Sequence, residues 1–560
     1  MKSNICKWTL VLAAATFGWT ACDTDVEHNI PEVDAPVLVS TTPTSGASTV
    51  KKGDITIEVA YDKNIFFATK NLSQLTFTGG QLLSADVYGS SNTLTVKVNV
   101  PNRDTQCTLT IPEGVVTGPN QMPAPAVSVQ FSTIALDNTP VMATSAKAVK
   151  LYNYLLDNFE SKTLSGMMAN VAWNTEMSDR VYEWTGKHPA INTFDYVHIP
   201  ASLAGANWID YGDITPVQEW AANNGIVSCM WHWNVPKAAP VEASSTPVWE
   251  GELPIASDWS VSLQLTDETA LATFANAQVG QVVRVAVKDV LTGAQGSLKD
   301  SGWGEIAAGT DYFDITDEFT LNITEDVLAS LQSGGLIVGG HDYTITGVYL
   351  ESQATELNPS TDYAFYKEQT AFDAANATVE GTWENKFFQQ DLANVTAYLK
   401  LLKEADIPVL WRPFHEAAGG WFWWGKDADS FKKMWVAMFN HFKNEGLNNL
   451  IWVYTAEPND ADWYPGDAYV DIIGRDLYSK QTDDCASEFA TIAATYGNKM
   501  VALSECGSVG LISEQWSAGA RWSWFMPWYD GGDTVHADET WWVDAMNQSY
   551  VIAREDLPAM

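Results

Sequence analysis

The chain has 560 residues, enough for several domains. Lys+Arg 31 against Asp+Glu 69 leave a formal net charge of −38, a surface that repels phosphate backbones and argues against nucleic acid as a partner. Trp 25, Tyr 20 and Phe 21 are more aromatic residues than cores alone require, so some rings are expected to serve as flat binding faces.

The N-terminus reads as a targeting segment. Lys2 and Lys7 precede the short apolar run "WTLVLAAATFGW", and "TAC" ends it at Cys22. This resembles a bacterial lipoprotein signal over 1–22, with lipid expected on Cys22. Trp19 stands where Leu is usual, and a plain secretory signal is the alternative. The acidic "DTDVEHN" that follows resembles the surface-export signal of Bacteroides-type lipoproteins. The expected location is therefore the cell surface, on the outer membrane, with the lipid as the only membrane contact. Cys107, Cys229, Cys485 and Cys506 are too scattered for a metal site or a dense disulfide framework. No later apolar run is long enough to span a bilayer.

A Pro- and Thr-rich linker covers about 23–36. Over 37–135, short alternating runs such as "ITIEVAYD", "TLTVKVNV" and "VSVQFST" are punctuated by Gly, Asn and Pro about every ten residues. That pattern predicts a small antiparallel sandwich of immunoglobulin type, a spacer with nothing catalytic in it.

From about 138 to 237, helical periodicity alternates with almost continuous apolar runs: "TLSGMMAN", "PAINTFDYVH" and "GIVSCMWHWN". Such alternation predicts a parallel sheet covered by helices. The pattern turns strand-rich over 238–355, then strand and helix resume over 356–560. Three apolar strands before the block and five after it make eight. The flanking parts, about 100 and about 205 residues, suit one (β/α)8 barrel, which takes about 250 residues and more with loop insertions. The block is then a β-rich, jelly-roll-like domain inserted after barrel strand three, at the C-terminal face where such barrels place their sites. Trp249, Trp259 and Trp303 could be glycan platforms on it, with at least one in its core. Binding and bracing remain open alternatives for the insert.

Two carboxylates stand at the ends of apolar strands: Glu416 in "LWRPFHEAAGGWFWWG" and Glu505 in "MVALSECGS". They lie 89 positions apart, about three β/α units, which places them on strands four and seven, across the barrel mouth. A lone strand-end Glu is ordinarily a cap or an ion-pair partner. Two facing each other beside a tryptophan-rich loop are the equipment for glycoside hydrolysis, one protonating the leaving oxygen and the other attacking carbon or activating water. "HEAAG" lacks the second His of a zinc protease motif, and no phosphate loop or nucleophile elbow occurs.

The segments "WRPFHEAAGGWFWWG", "SCMWHWNVP", "IIGRDLYS" and "ALSECG" resemble glycoside hydrolase family 26, whose best-known members are endo-β-1,4-mannanases. The likeness covers both barrel segments and neither the spacer nor the insert. It implies a retaining double displacement with Glu416 as general acid/base and Glu505 as nucleophile. It implies a β-mannan-type polysaccharide (mannan, galactomannan or glucomannan) as substrate, and no metal or organic cofactor. It also suggests that Tyr478 contacts the nucleophile and that His232 lines subsites on the non-reducing side. His415 is expected to hydrogen-bond in the site and tune the acid. Trp421 and Trp528 are expected as stacking platforms. Arg412 is expected to pair with a carboxylate at the mouth, and Asp476 and Asp195 are weaker candidates for cleft hydrogen bonds. Trp423, Trp424, Trp522 and Trp524 could be core or cleft. A monomer is expected. The alternatives are the same machinery acting on β-xylan or mixed-linkage β-glucan, or a surface protein that captures glycan without cutting it.

Overall fold

The computed structural model describes residues 33–458, 460–531 and 534–559. Cys22 and the rest of the signal lie outside the described residues. The chain divides into two compact units at Ala135/Leu136.

The first unit is a sandwich of two four-stranded sheets. One contains Leu38–Thr42, Gly53–Tyr61, Thr93–Val100 and Gln81–Asp86; the other contains Ala47–Val50, Val127–Thr133, Gln106–Ile111 and Thr76–Thr78. In "TLTVKVNV", Leu94, Val96, Val98 and Val100 are buried while Lys97 faces water. That period of two is the reason this stretch forms a strand with one face in a core.

The second unit is a closed parallel barrel. Its strands are β1 (Thr163–Met168), β2 (Ile191–Asp195), β3 (Ile226–Trp231), β4 (Val409–Pro413), β5 (Leu450–Ala456), β6 (Ile472–Tyr478), β7 (Met500–Gly507) and β8 (Trp524–Pro527). Neighbours pair in chain order, and β8 pairs back onto β1, with Trp524 opposite Leu164. Almost every strand residue is buried, because one face fills the barrel and the other meets the helices. The helices are set by local capping. Thr382 caps Trp383–Glu404, Asp427 caps Ala428–Asn444, and Asp538 caps Glu539–Met546, each accepting a backbone N–H in the first turn.

Between β3 and Trp383–Glu404 the chain leaves the barrel. Residues 244–352 form two four-stranded sheets with a hydrophobic core of their own, built on Phe274, Val283, Leu331 and Ile345. The strand-rich pattern hid two short helices there, Glu268–Phe274 and Glu325–Gly334, capped by Asp267 and Thr324. The departing and returning segments meet where the Thr355 amide donates to the Val241 carbonyl (2.9 Å), the stem of the insert.

Candidate active site

The site is built at the C-terminal ends of β2, β3, β4, β6 and β7. Arg412, in β4, is buried and reaches across the barrel. Its Nη1 donates to Glu505 Oε2 (3.0 Å), its Nη2 to Asp476 Oδ2, and its Nε to Thr455 Oγ1 (3.0 Å). Burial works against its charge, but the carboxylates of Asp476, Glu505 and Glu416 more than offset this and leave its pKa raised. Arg412 is the fixed cation of the site. The expected pairing with a mouth carboxylate is present, and with two carboxylates rather than one.

Glu505 reaches the barrel mouth through an irregularity. Arg475 pairs with Leu503, yet the next β6 residue, Asp476, pairs with Glu505. Ser504 is therefore the extra residue of a bulge, and bulges re-aim side chains. The Ser504 hydroxyl donates to Asp476 Oδ1 (2.7 Å) and ties the bulge to β6. The Tyr478 hydroxyl, at the end of β6, donates to Glu505 Oε1 at 2.6 Å. Both Glu505 oxygens are thus held by donors. Burial and then Asp476 raise its pKa to about 7, with Arg412, Tyr478 and His232 pulling it back.

Glu416 stands three residues beyond the end of β4, with Trp421 Nε1 donating to its Oε2 (2.9 Å). Its φ of 52° lies in the left-handed region, as does that of Phe414 at 49°. A non-glycine residue held there costs about 1–3 kcal/mol and persists because the surroundings fix it. Burial first, then Asp476 and Glu505, push its pKa up to about 10 against the pull of Arg412. Of the two carboxylic groups, Glu416 keeps its proton to the higher pH.

His232 and His415 meet with ring centroids 4.1 Å apart. His232 Nδ1 lies 2.5 Å from Asp195 Oδ2, and its backbone N–H donates to Asp195 Oδ1 (3.1 Å), so Asp195 orients His232. The expected tuning hydrogen bond from His415 is not seen: its Nδ1 is buried with no partner among the described residues. Burial, His232 and Arg412 lower its pKa, so it stays neutral. A nitrogen of His415 and a carboxylate oxygen each of Glu416 and Asp476 lie within 4.8 Å of one another. Asp476 is not a cleft group; its buried side chain serves Arg412 and Ser504.

One cleft of ≈ 1020 Å³, open to solvent, joins His232, His415, Glu416, Trp421, Tyr478, Glu505 and Trp528. Trp421 is 41% exposed, while Trp528 is partly buried with its ring 5.7 Å from His232. Trp423, Trp424, Trp522 and Trp524 are core residues. Alternation fails as a guide at Trp423 and Trp424 because Trp423–Gly425 is a 3₁₀ turn, not a strand, and at Trp524 because both faces of β8 are buried. Tyr366, Phe422 and His536 also line the cleft and escaped the sequence reading. Tyr366 follows the insert and His536 follows β8, and neither has a neighbouring pattern that marks it.

A closed parallel barrel whose C-terminal mouth holds two buried carboxylates of unequal proton affinity is equipped as a glycoside hydrolase. The model of glycosyl hydrolase family 26 matches residues 141–263 and 278–556, and the chain belongs to that family. A bacterial Ig-like domain matches residues 32–133. The chain is 40% identical over 182 residues to mannan endo-1,4-beta-mannosidase B of a Piromyces species, covering 32% of this chain and 31% of that protein. It is 37% identical over 222 residues to a mannan endo-1,4-beta-mannosidase of Thermothelomyces thermophilus, covering 39% and 44%. The chain thus spans less than half the length of these curated relatives. Among solved structures, the GH26 domain of an endo-beta-mannanase/endo-beta-glucanase from Prevotella bryantii is 33% identical with a TM-score of 0.51, covering 75% of this chain and 99% of that one.

Proposed function

We propose that this chain is an endo-acting hydrolase that cleaves β-1,4-mannosidic bonds in mannan, galactomannan or glucomannan with net retention. The observation that carries the reading is the carboxylate pair in one cleft: Glu505 gripped by Arg412 and Tyr478, and Glu416 holding its proton to higher pH. The names of the mannan-cleaving relatives support the polymer.

In the first step the Glu416 carboxyl gives its proton to the glycosidic oxygen. A Glu505 oxygen bonds to the anomeric carbon, the C–O bond breaks, and the leaving chain departs as an alcohol. Glu416, now a carboxylate, takes a proton from water as the water oxygen attacks the same carbon. The ester to Glu505 breaks, the second inversion restores the starting configuration, and Glu416 is protonated again. Arg412 and Tyr478 keep the Glu505 carboxylate aimed and ionised, and they stabilise it as a leaving group. Both carboxylates come from one chain, so a monomer suffices.

Reducing-sugar release from a panel of mannans, xylan and mixed-linkage β-glucan tests the polymer. Rapid release from a mannan is expected. Release from xylan or β-glucan alone would reassign the substrate, and binding without release would make the chain a capture protein.

The insert is proposed to bind glycan as well. Trp259 and Trp303 are 40% and 55% exposed, whereas Trp249 packs against the insert core. Lipidation at Cys22 and display on the outer membrane remain proposals carried by the sequence motif. Mass analysis of the N-terminal peptide and protease treatment of intact cells test them. An unmodified Cys22, or full protection from protease, would refute them.

A further inference from the structure

Trp259, Tyr312 and His341 come from three separate segments of the insert and meet at its surface. Between ring centroids, Trp259 lies 5.2 Å from Tyr312 and 5.0 Å from His341, with interplanar angles of 79° and 63°. Trp259 is 40% exposed and Tyr312 61%. Neither belongs to the insert core, and none of the three lines the catalytic cleft. An indole and a phenol left together in water forgo the burial that ordinarily places such rings inside.

The backbone fixes the indole. Trp259 has a φ of 63°, in the left-handed region that bulky residues rarely adopt, and its N–H donates to the Ala256 carbonyl (3.3 Å). Asp258 Oδ1 accepts from the Ser260 N–H (3.1 Å) and hydroxyl (2.6 Å), which clamps Trp259 on both sides. The Asp342 N–H donates to the Ile255 carbonyl (3.2 Å) and ties this turn to the segment carrying His341. Polar groups edge the rings. His341 Nδ1 lies 2.7 Å from Asp342 Oδ2, so in the neutral ring Nδ1 donates and Nε2 is left as an acceptor. Nε2 has no hydrogen-bond partner among the described residues and is open to solvent, on a side chain 18% exposed. Tyr312 adds a phenolic hydroxyl. Lys299, 5.3 Å from the Tyr312 ring, is paired with Asp311. No free cation is thereby left among these residues to hold an acidic ligand, and the net charge of −38 disfavours one.

Apolar ring surface beside hydroxyl-bonding groups suits a neutral sugar, whose C–H face packs while its hydroxyls bond. Rings set steeply to one another do not form the coplanar row along which an extended chain or a crystalline polymer face would lie. They form a corner that takes one sugar ring. We infer that the corner of Trp259, Tyr312 and His341 binds a single terminal neutral hexopyranosyl unit of a glycan, at a chain end or on a one-unit branch. The inference rests on the glycan-binding reading of the insert and names its site and ligand. The corner holds the polymer while the cleft cuts it, and one polymer molecule engages both sites at the high effective concentration of linked binding.

The test uses the full chain carrying Trp259→Ala, with Trp259→Phe expected to recover part of the loss. The polymer KM is expected to rise about tenfold with kcat unchanged, while kcat/KM on mannotetraose, too short to bridge both sites, stays within about twofold. A rise confined to galactomannan assigns the ligand to the branch, and a rise on unbranched mannan assigns it to chain ends. An unchanged KM on both polymers, or an equal loss on the tetraose, would overturn the site. Should the wild-type chain cut no mannan, the hydrolase reading on that polymer fails separately. Electrophoresis through gels of galactomannan, mannan or mixed-linkage β-glucan then tests the corner by itself. Retardation of the wild type that is lost in Trp259→Ala supports it; equal retardation of both, or none of the wild type, refutes it. The methyl glycoside of the polymer's terminal sugar is expected to reduce wild-type retardation to that of Trp259→Ala, and no competition would refute a single-unit site.

Discussion

At the residue scale, the site is a set of charges held against their solvation. Asp476, Glu416 and Glu505 crowd around one guanidinium, and burial raises both glutamates. The sign of the stability effect follows. Glu416 keeps its proton in the folded barrel to about pH 10, whereas in the unfolded chain it loses it near the ordinary 4.5. Between those values the unfolded state binds fewer protons, so this group lowers stability as pH rises. Glu416→Gln cannot ionise in either state. It is expected to raise the barrel Tm at pH 8 by more than at pH 4, at about 2–4 °C per kcal/mol removed. The same variant is expected to lose on the order of 10²–10⁴ in kcat. Scanning calorimetry at both pH values with one rate assay checks this, and a lower Tm at pH 8 would contradict it. Tyr478 favours the charged form of Glu505 by donating to it. Tyr478→Phe should therefore raise the Glu505 pKa and move the acid limb of kcat/KM up by about one pH unit. An unmoved limb would mean that another group controls it.

At the level of the elements, the site depends on how β4 and β7 end. Continuous apolar runs make the eight barrel strands legible in the sequence, and the strand-end positions of Glu416 and Glu505 follow from them. Two features do not follow. The extra residue Ser504 in β7 and the left-handed turn at Glu416 come from long-range pairing and packing, which no local pattern encodes. Gly507, at the end of β7, exposes the same tight fit. A Cβ there would lie 2.4 Å from His536 Cδ2 and 2.7 Å from Tyr478 Cε1. Gly507→Ala is expected to push Tyr478 off Glu505 and lower kcat about tenfold, with the fold retained by circular dichroism. Wild-type turnover in that variant would show that the Tyr478 contact is dispensable.

Over the whole molecule, the sequence texture separates sandwich, barrel and strand-rich insert because each has its own periodicity. The two short insert helices escaped because seven to ten residues show little period, although Asp267 and Thr324 stand at their N-caps. The insert has its own core and leaves through the stem at Val241 and Thr355. Excision between those positions, closed by a short Gly-Ser linker, is expected to leave the barrel folded and turnover of manno-oligosaccharides within about threefold, since effects of separate cores are nearly additive. Loss of barrel folding would show that the insert braces it. If Glu416 is the acid and Glu505 the nucleophile of a retaining reaction, azide rescue of the two variants gives products of opposite configuration. With an activated aryl β-mannoside, Glu505→Ala plus azide is predicted to yield the α-mannosyl azide and Glu416→Ala the β-mannosyl azide. Azides of the opposite configuration, or no rescue of either variant, would contradict the assignment.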